Sequence, residues 1–150
     1  MPALPEPLGP WHPADYARRP QGMVYEDWQP WQAWLKTEPA RRSLYAYNVR
    51  LSAGDAPASI IGADDRRLWQ QLTDKRIDAV GRDAERFTIY EARRITGWSA
   101  IGQLLGYCQL WRLNFPELEL EPCMIVTERI DDAIRSVALR QGLRVYVASE

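Results

Sequence analysis

The residues best suited to chemistry lie close together. In "RIDAVGRDAERFTIYEARRITGWSAIGQLLGY", residues 76–107, Asp78 is followed by Glu91, Arg93, Gln103 and Tyr107. Side chains on a strand alternate faces, so Glu91 and Arg93 share one face of the apolar run that carries them. Gln103 and Tyr107 stand at i and i+4 and share one face of a helix. Carboxylates from two neighbouring strands can converge on one hard cation such as Mg²⁺, which prefers oxygen ligands. The same acids and base can instead pair as a structural ion cluster on a sheet, and the residue types alone leave both readings open.

The rest of the composition removes competing chemistries. His12 is the only histidine, and it lies in a Pro-rich stretch, so Ser-His-Asp, Cys-His and His-based zinc sites are excluded. No G-x-x-x-x-G-K-[ST] run is present, which excludes a P-loop. Cys108 and Cys123 are the only cysteines, and the expectation is two reduced, mostly buried thiols. A net charge of -1 lends no compositional support to coating duplex DNA. Lys36 and Lys75 are the only lysines; every other basic residue is arginine. No run approaches the ~18 apolar residues of a membrane span, and the first residues lack the basic-then-apolar order of a signal peptide. The expectation is a protein of the cell interior with no membrane partner.

The elements that must position these residues follow from periodicity. A chain of 150 residues suits one core. Residues 1–23, with Pro2, Pro5, Pro7, Pro10, Pro13 and Pro20, form an arm that lies along its own domain or a neighbour, or a loose tail. Residues 24–150 form a single α/β domain. Asp27 is expected to cap a helix whose Trp28, Trp31, Trp34 and Leu35 share one face, with Pro39 as its stop. That face is expected to pack on the core; an exposed Trp face would mark a protein contact. Strands are predicted at 43–51, 76–82 and 86–93, the last two joined as a hairpin. A short helix is predicted at 64–74 and a long one at 99–115. A strand follows at 124–127, then a helix at 130–142 stopped by Gly142, then a strand from 143. A hairpin followed by βαβ units predicts a mixed central sheet flanked by helices.

With the elements in place, residues 44–127 resemble the PD-(D/E)XK nuclease superfamily and its α-β-β-β-α-β core, here followed by a further C-terminal α-β. Within it, the RecB-like exonuclease branch is most similar, because its following helix carries Q-x-x-x-Y. "RIDAV" supplies Asp78, "YEAR" supplies Glu91 and Arg93, and "QLLGY" supplies Gln103 and Tyr107. The resemblance implies Mg²⁺ or Mn²⁺ held by Asp78, Glu91 and the carbonyl of Ala92, activating water against a phosphodiester. It also implies an acid from the first helix, for which Glu38 is the candidate.

One position departs from the family pattern. Arg93 stands where the family has Lys. A guanidinium stays charged, so it cannot be a general base, and its planar fork suits pairing with Asp78 or Glu91. Lys75 is the one substitute in reach, but it has opposite parity to Asp78 on a strand. The expectation is therefore a nuclease-fold protein that is catalytically impaired. The resemblance to compact phage proteins implies a bacteriophage virion or head-tail (neck or connector) component, with a homo-oligomer, phage structural proteins or DNA as partners. Its expected place is the host cytoplasm or the virion. The alternative is a Mg²⁺-dependent DNA endonuclease or exonuclease.

Overall fold

The structure, a computed structural model, describes residues 8–51, 58–67 and 75–149. Its strands are β1 (His12–Pro13), β2 (Leu44–Leu51), β3 (Lys75–Asp83), β4 (Arg86–Thr96), β5 (Glu119–Leu120), β6 (Met124–Ile130) and β7 (Arg144–Val147). The helices are α1 (Tyr25–Leu35), α2 (Glu38–Arg41), α3 (Trp98–Asn114) and α4 (Asp132–Arg140). Residues 63–67 are helical; the rest of the helix predicted at 64–74 lies outside the described residues, as does most of the loop before it.

The strands form one seven-stranded mixed sheet in the order β1-β2-β3-β4-β6-β7, with β5 also paired to β4. The pairs from β1 to β4 are antiparallel, and β4, β6 and β7 run parallel. This is the mixed sheet flanked by helices that the periodicity predicts. The parallel step from β4 to β6 needs a crossover, and α3 supplies it.

Helices cover both faces. The odd positions Phe87 and Ile89 of β4 join a core with Ile101, Leu104, Tyr107 and Trp111 of α3 and with Ile134 and Ala138 of α4. The even positions Tyr90 and Ala92 join a second core with Trp31, Trp34 and Leu35 of α1. Trp31 is fully buried, donates from Nε1 to the Tyr47 hydroxyl at 3.1 Å, and meets Tyr45 and Tyr90 edge-on. The Trp stripe thus packs inward, as expected of an apolar helix face.

The starts and stops of the helices differ in instructive ways. α1 begins at Tyr25 with Val24 as an unassisted N-cap, so Asp27 lies inside the first turn and does not cap it. Pro30 is then the sixth helical residue, where its missing N–H leaves a carbonyl one turn earlier without its helical partner. Pro39 does not stop this helix. It sits in the first turn of α2, where a missing N–H costs nothing, and Thr37 caps that turn by accepting from Ala40 N. At α4, Asp131 caps through Ala133 N, and Gly142 ends the segment at φ +81°.

Part of the N-terminal arm lies along its own sheet. His12 and Pro13 pair antiparallel with Tyr45 and Leu44, Leu8 is buried, and the Trp11 ring stands 6.2 Å from that of Phe87. Cys108 of α3 and Cys123, just ahead of β6, are both buried, as expected, and their sulfurs are in contact. Their spacing of 15 residues cannot show that the chain turns back from α3 to bring them together. No helix among the described residues is long and apolar enough to cross a membrane.

Candidate functional site

The site lies at the C-terminal end of β4, between the first turn of α1 and the first turns of α3. Parity puts Glu91 and Arg93 on the α3 face of the sheet, in line with Phe87 and Ile89. Asp78 enters from β3. There the regular ladder opens: β2–β3 pairing skips Asn48 and Asp78, and β3–β4 pairing runs only from Ala79–Tyr90 to Asp83–Arg86. The Asp78 side chain takes over where the ladder stops, its Oδ2 accepting from Ala92 N at 2.9 Å. Opposite, Asn48 adopts φ +53°, a left-handed conformation that Asn tolerates better than most residues. Gly22, itself at φ +87°, makes room for it, since a Cβ there would lie 3.1 Å from Asn48 Oδ1.

Arg93 is the hub. Its Nη2 lies 2.6 Å from Glu91 Oε1 and donates to Gln103 Oε1 at 3.2 Å. Its Nη1 lies 3.6 Å from Asp27 Oδ2. Asp27 Oδ1 accepts from the backbone N–H of Arg94 at 2.8 Å, which fixes α1 to the end of β4. Tyr107, 8 % exposed, sits in the core beside the cluster, near enough to sense the charges of Glu91, Asp78 and Arg93. The structure therefore brings Asp78, Glu91, Arg93, Gln103 and Tyr107 together.

Two other candidates lie elsewhere. Glu38 is on α2, exposed, and paired with Arg42 at 3.1 Å along its own helix, so it does not supply the first-helix acid. Lys75 opens β3 opposite Leu51, with its side chain outside the described residues. The acid that α1 does supply is Asp27, which sequence reasoning took for a cap. A signal was present: Asp27, Trp31 and Trp34 stand at i, i+4 and i+7, so a carboxylate heads the helix's buried stripe. A charged residue on such a face is the informative anomaly.

Burial dominates the electrostatics. Glu91 is 1 % exposed, and its carboxyl is pushed up to about 8, first by burial and then by Asp78, with Arg93 opposing and Asp27 adding. Asp78 is raised too, chiefly by burial, against the Ala92 amide and Arg93. Burial would lower Arg93, but Glu91, Asp78 and Asp27 outweigh it and hold the guanidinium protonated. The Tyr107 hydroxyl is pushed up to about 12 by burial and by the two carboxyls. Glu91 Oε2 is buried without a hydrogen-bond partner among the described residues. Among the described residues, the guanidinium touches Glu91 and Asp27, with Asp78 in electrostatic reach.

The resemblance implies a divalent cation on Asp78, Glu91 and the Ala92 carbonyl, but the side chains as placed do not fit one. The guanidinium already holds Glu91 Oε1. Asp78 Oδ2 is committed to Ala92 N. Among the described residues, no group of three or more His, Cys, Asp or Glu side chains could hold a metal ion. The chain matches no protein-family model, no curated protein and no solved structure.

Proposed function

We propose that the chain is a nuclease-like domain of the PD-(D/E)XK type that does not cut, and that it serves as a virion or head-tail component of a bacteriophage. The order helix, three antiparallel strands, helix, strand supports the fold reading, as does the gathering of Asp78 and Glu91 with Gln103 and Tyr107. One observation carries the loss of cleavage: Arg93 Nη2 lies 2.6 Å from Glu91 Oε1, so a fixed positive charge stands against the carboxyl that a metal would need. A permanently charged guanidinium cannot take a proton from water, so the position that usually serves as a base is also lost.

The assembly half of the reading rests on resemblance and on what remains at the surface. Trp31 and Trp34 are spent on the core, and His12–Pro13 on the sheet. Tyr25, Ile95 and Trp98, at the α1, β4 and α3 ends that border the site, are each more than half exposed. Exposed aromatic and aliphatic side chains of this kind suit a protein contact.

The test is incubation of the purified protein with supercoiled and linear DNA in Mg²⁺ or Mn²⁺, with Glu91→Ala as control, together with the mass of the assembly in solution. The expected result is intact DNA and a defined homo-oligomer. Cleavage that disappears in Glu91→Ala would replace this reading with that of a metal-dependent DNA nuclease. A monomer would count against assembly.

A further inference from the structure

We propose that the Arg93 guanidinium is the resident cation of this site, standing among the carboxyls where a divalent ion would gather them, so that a metal-binding site is latent and appears only when Arg93 is removed. The inference rests on reading Asp78 and Glu91 as a former metal centre.

The geometry is that of a counter-ion shared by separate elements. The guanidinium reaches Glu91 on its own strand at 2.6 Å, Gln103 on α3 at 3.2 Å and Asp27 on α1 at 3.6 Å. Asp78, on β3, lies close enough to help hold the guanidinium protonated. An ordinary surface pair joins two residues and is well exposed; here Glu91 is 1 % and Asp27 17 % exposed by side chain. A planar group with five donors can satisfy several acceptors at once, as a metal ion does.

It does so incompletely. Among the described residues, Glu91 Oε2 is left buried and unpartnered while Arg93 is shared between Glu91 and Asp27. Removing Arg93 leaves Asp78 and Glu91 held by the strands and by the Ala92 amide, yet without the guanidinium that pairs with Glu91. Two carboxylates in that position, completed by water, are a donor set that a hard divalent ion accepts. A purely structural ion pair predicts something else: loss of Arg93 would destabilise the fold, and metal would not restore it.

The experiment compares the wild-type chain with Arg93→Ala and Arg93→Gln, each stripped with EDTA, by thermal unfolding with and without Mn²⁺ or Mg²⁺ alone. Wild-type Tm is expected to be unmoved by millimolar metal. Both variants should melt lower without metal and recover ~5–10 °C when the ion is ~100-fold above its Kd. Adding Glu91→Ala to either variant should abolish the recovery. Should a variant be unfolded without metal, return of the native circular dichroism on adding Mn²⁺ supports the proposal. Variants that ignore metal, folded or unfolded, overturn it, and so does a wild-type chain that gains as much as they do. Cleavage of DNA by the wild type would defeat the proposed function. Uncut DNA with metal-blind variants would defeat this inference alone.

Discussion

Replacing Glu91 by Gln should flatten the dependence of stability on pH. Glu91 is pushed up to about 8 from an ordinary 4.5, first by burial. The folded chain therefore holds this proton more tightly than the unfolded chain does. The stabilisation is full below the unfolded value near 4.5, is lost as pH rises through about 8, and is constant beyond. The slope is ~1.4 kcal/mol per pH unit at most, on the order of 5 kcal/mol across the window. At 1 % exposure there is little water to screen the charge. Gln keeps the shape and an oxygen for Arg93 but does not titrate. Its amide nitrogen gains no evident acceptor where Oε2 has none among the described residues, a pH-independent cost of ~1 kcal/mol. Urea unfolding followed by tryptophan fluorescence should find Glu91→Gln slightly less stable than wild type at about pH 5 and more stable by ~2–4 kcal/mol at about pH 9. Asp78, also raised, leaves some slope in both proteins. Parallel profiles over the whole range would refute the reasoning. They would mean that the short contact with Arg93 keeps Glu91 ionised throughout, and that burial does not govern it.

Two further substitutions test the frame. Asp27→Ala removes the acceptor of Arg94 N and one partner of Arg93, and should cost ~1–3 kcal/mol by denaturant midpoint, whereas Asp27→Asn, which keeps an acceptor, should cost less. Equal costs would assign the role to charge and not to the hydrogen bond. Gly81→Ala would place a Cβ 2.8 Å from Tyr90 Cε2 and 3.2 Å from Tyr45 Cε1. Tyr90 is wedged against Trp31 and Trp34 and cannot move aside, so the expected loss is ~1–3 kcal/mol; a neutral change in Tm would show that the aromatic core yields.

What the sequence revealed was whatever local periodicity encodes. The alternation in "RFTIYEAR" places Glu91 and Arg93 on one face, and the i, i+4 spacing places Gln103 beside Tyr107. The hairpin and α3 were legible to within a few residues for the same reason. Long-range geometry was not. Nothing local says that the ladder opens at Asp78 or that Asn48 turns left-handed opposite it. Glu38 and Asp27 are both acids near one predicted helix. Only the true stop at Leu35 separates them, and Pro39 disguised that stop by looking like a terminator. The two-residue strands β1 and β5 carry no period at all, since their pairing is decided by the partners they meet. Cys108 and Cys123 belong to the same class, a contact made by the turn of the chain and not by its spelling.

The bond from Asp27 to the Arg94 backbone spans 67 positions, and this has a consequence for the nascent chain. Synthesis delivers α1 early, but its indoles must wait. Trp31 finds Tyr45 first and Tyr90 only after β4 is made, and Trp34 meets Tyr146 later still. Until β4 has left the ribosome, a helix with an apolar indole face and no sheet to lie on is open to solvent and to other chains. Exposure of that kind is what holdase chaperones recognise, and it is where aggregation begins. The tie that completes the site thus shortens the vulnerable interval of α1, which closes only when Trp34 meets Tyr146.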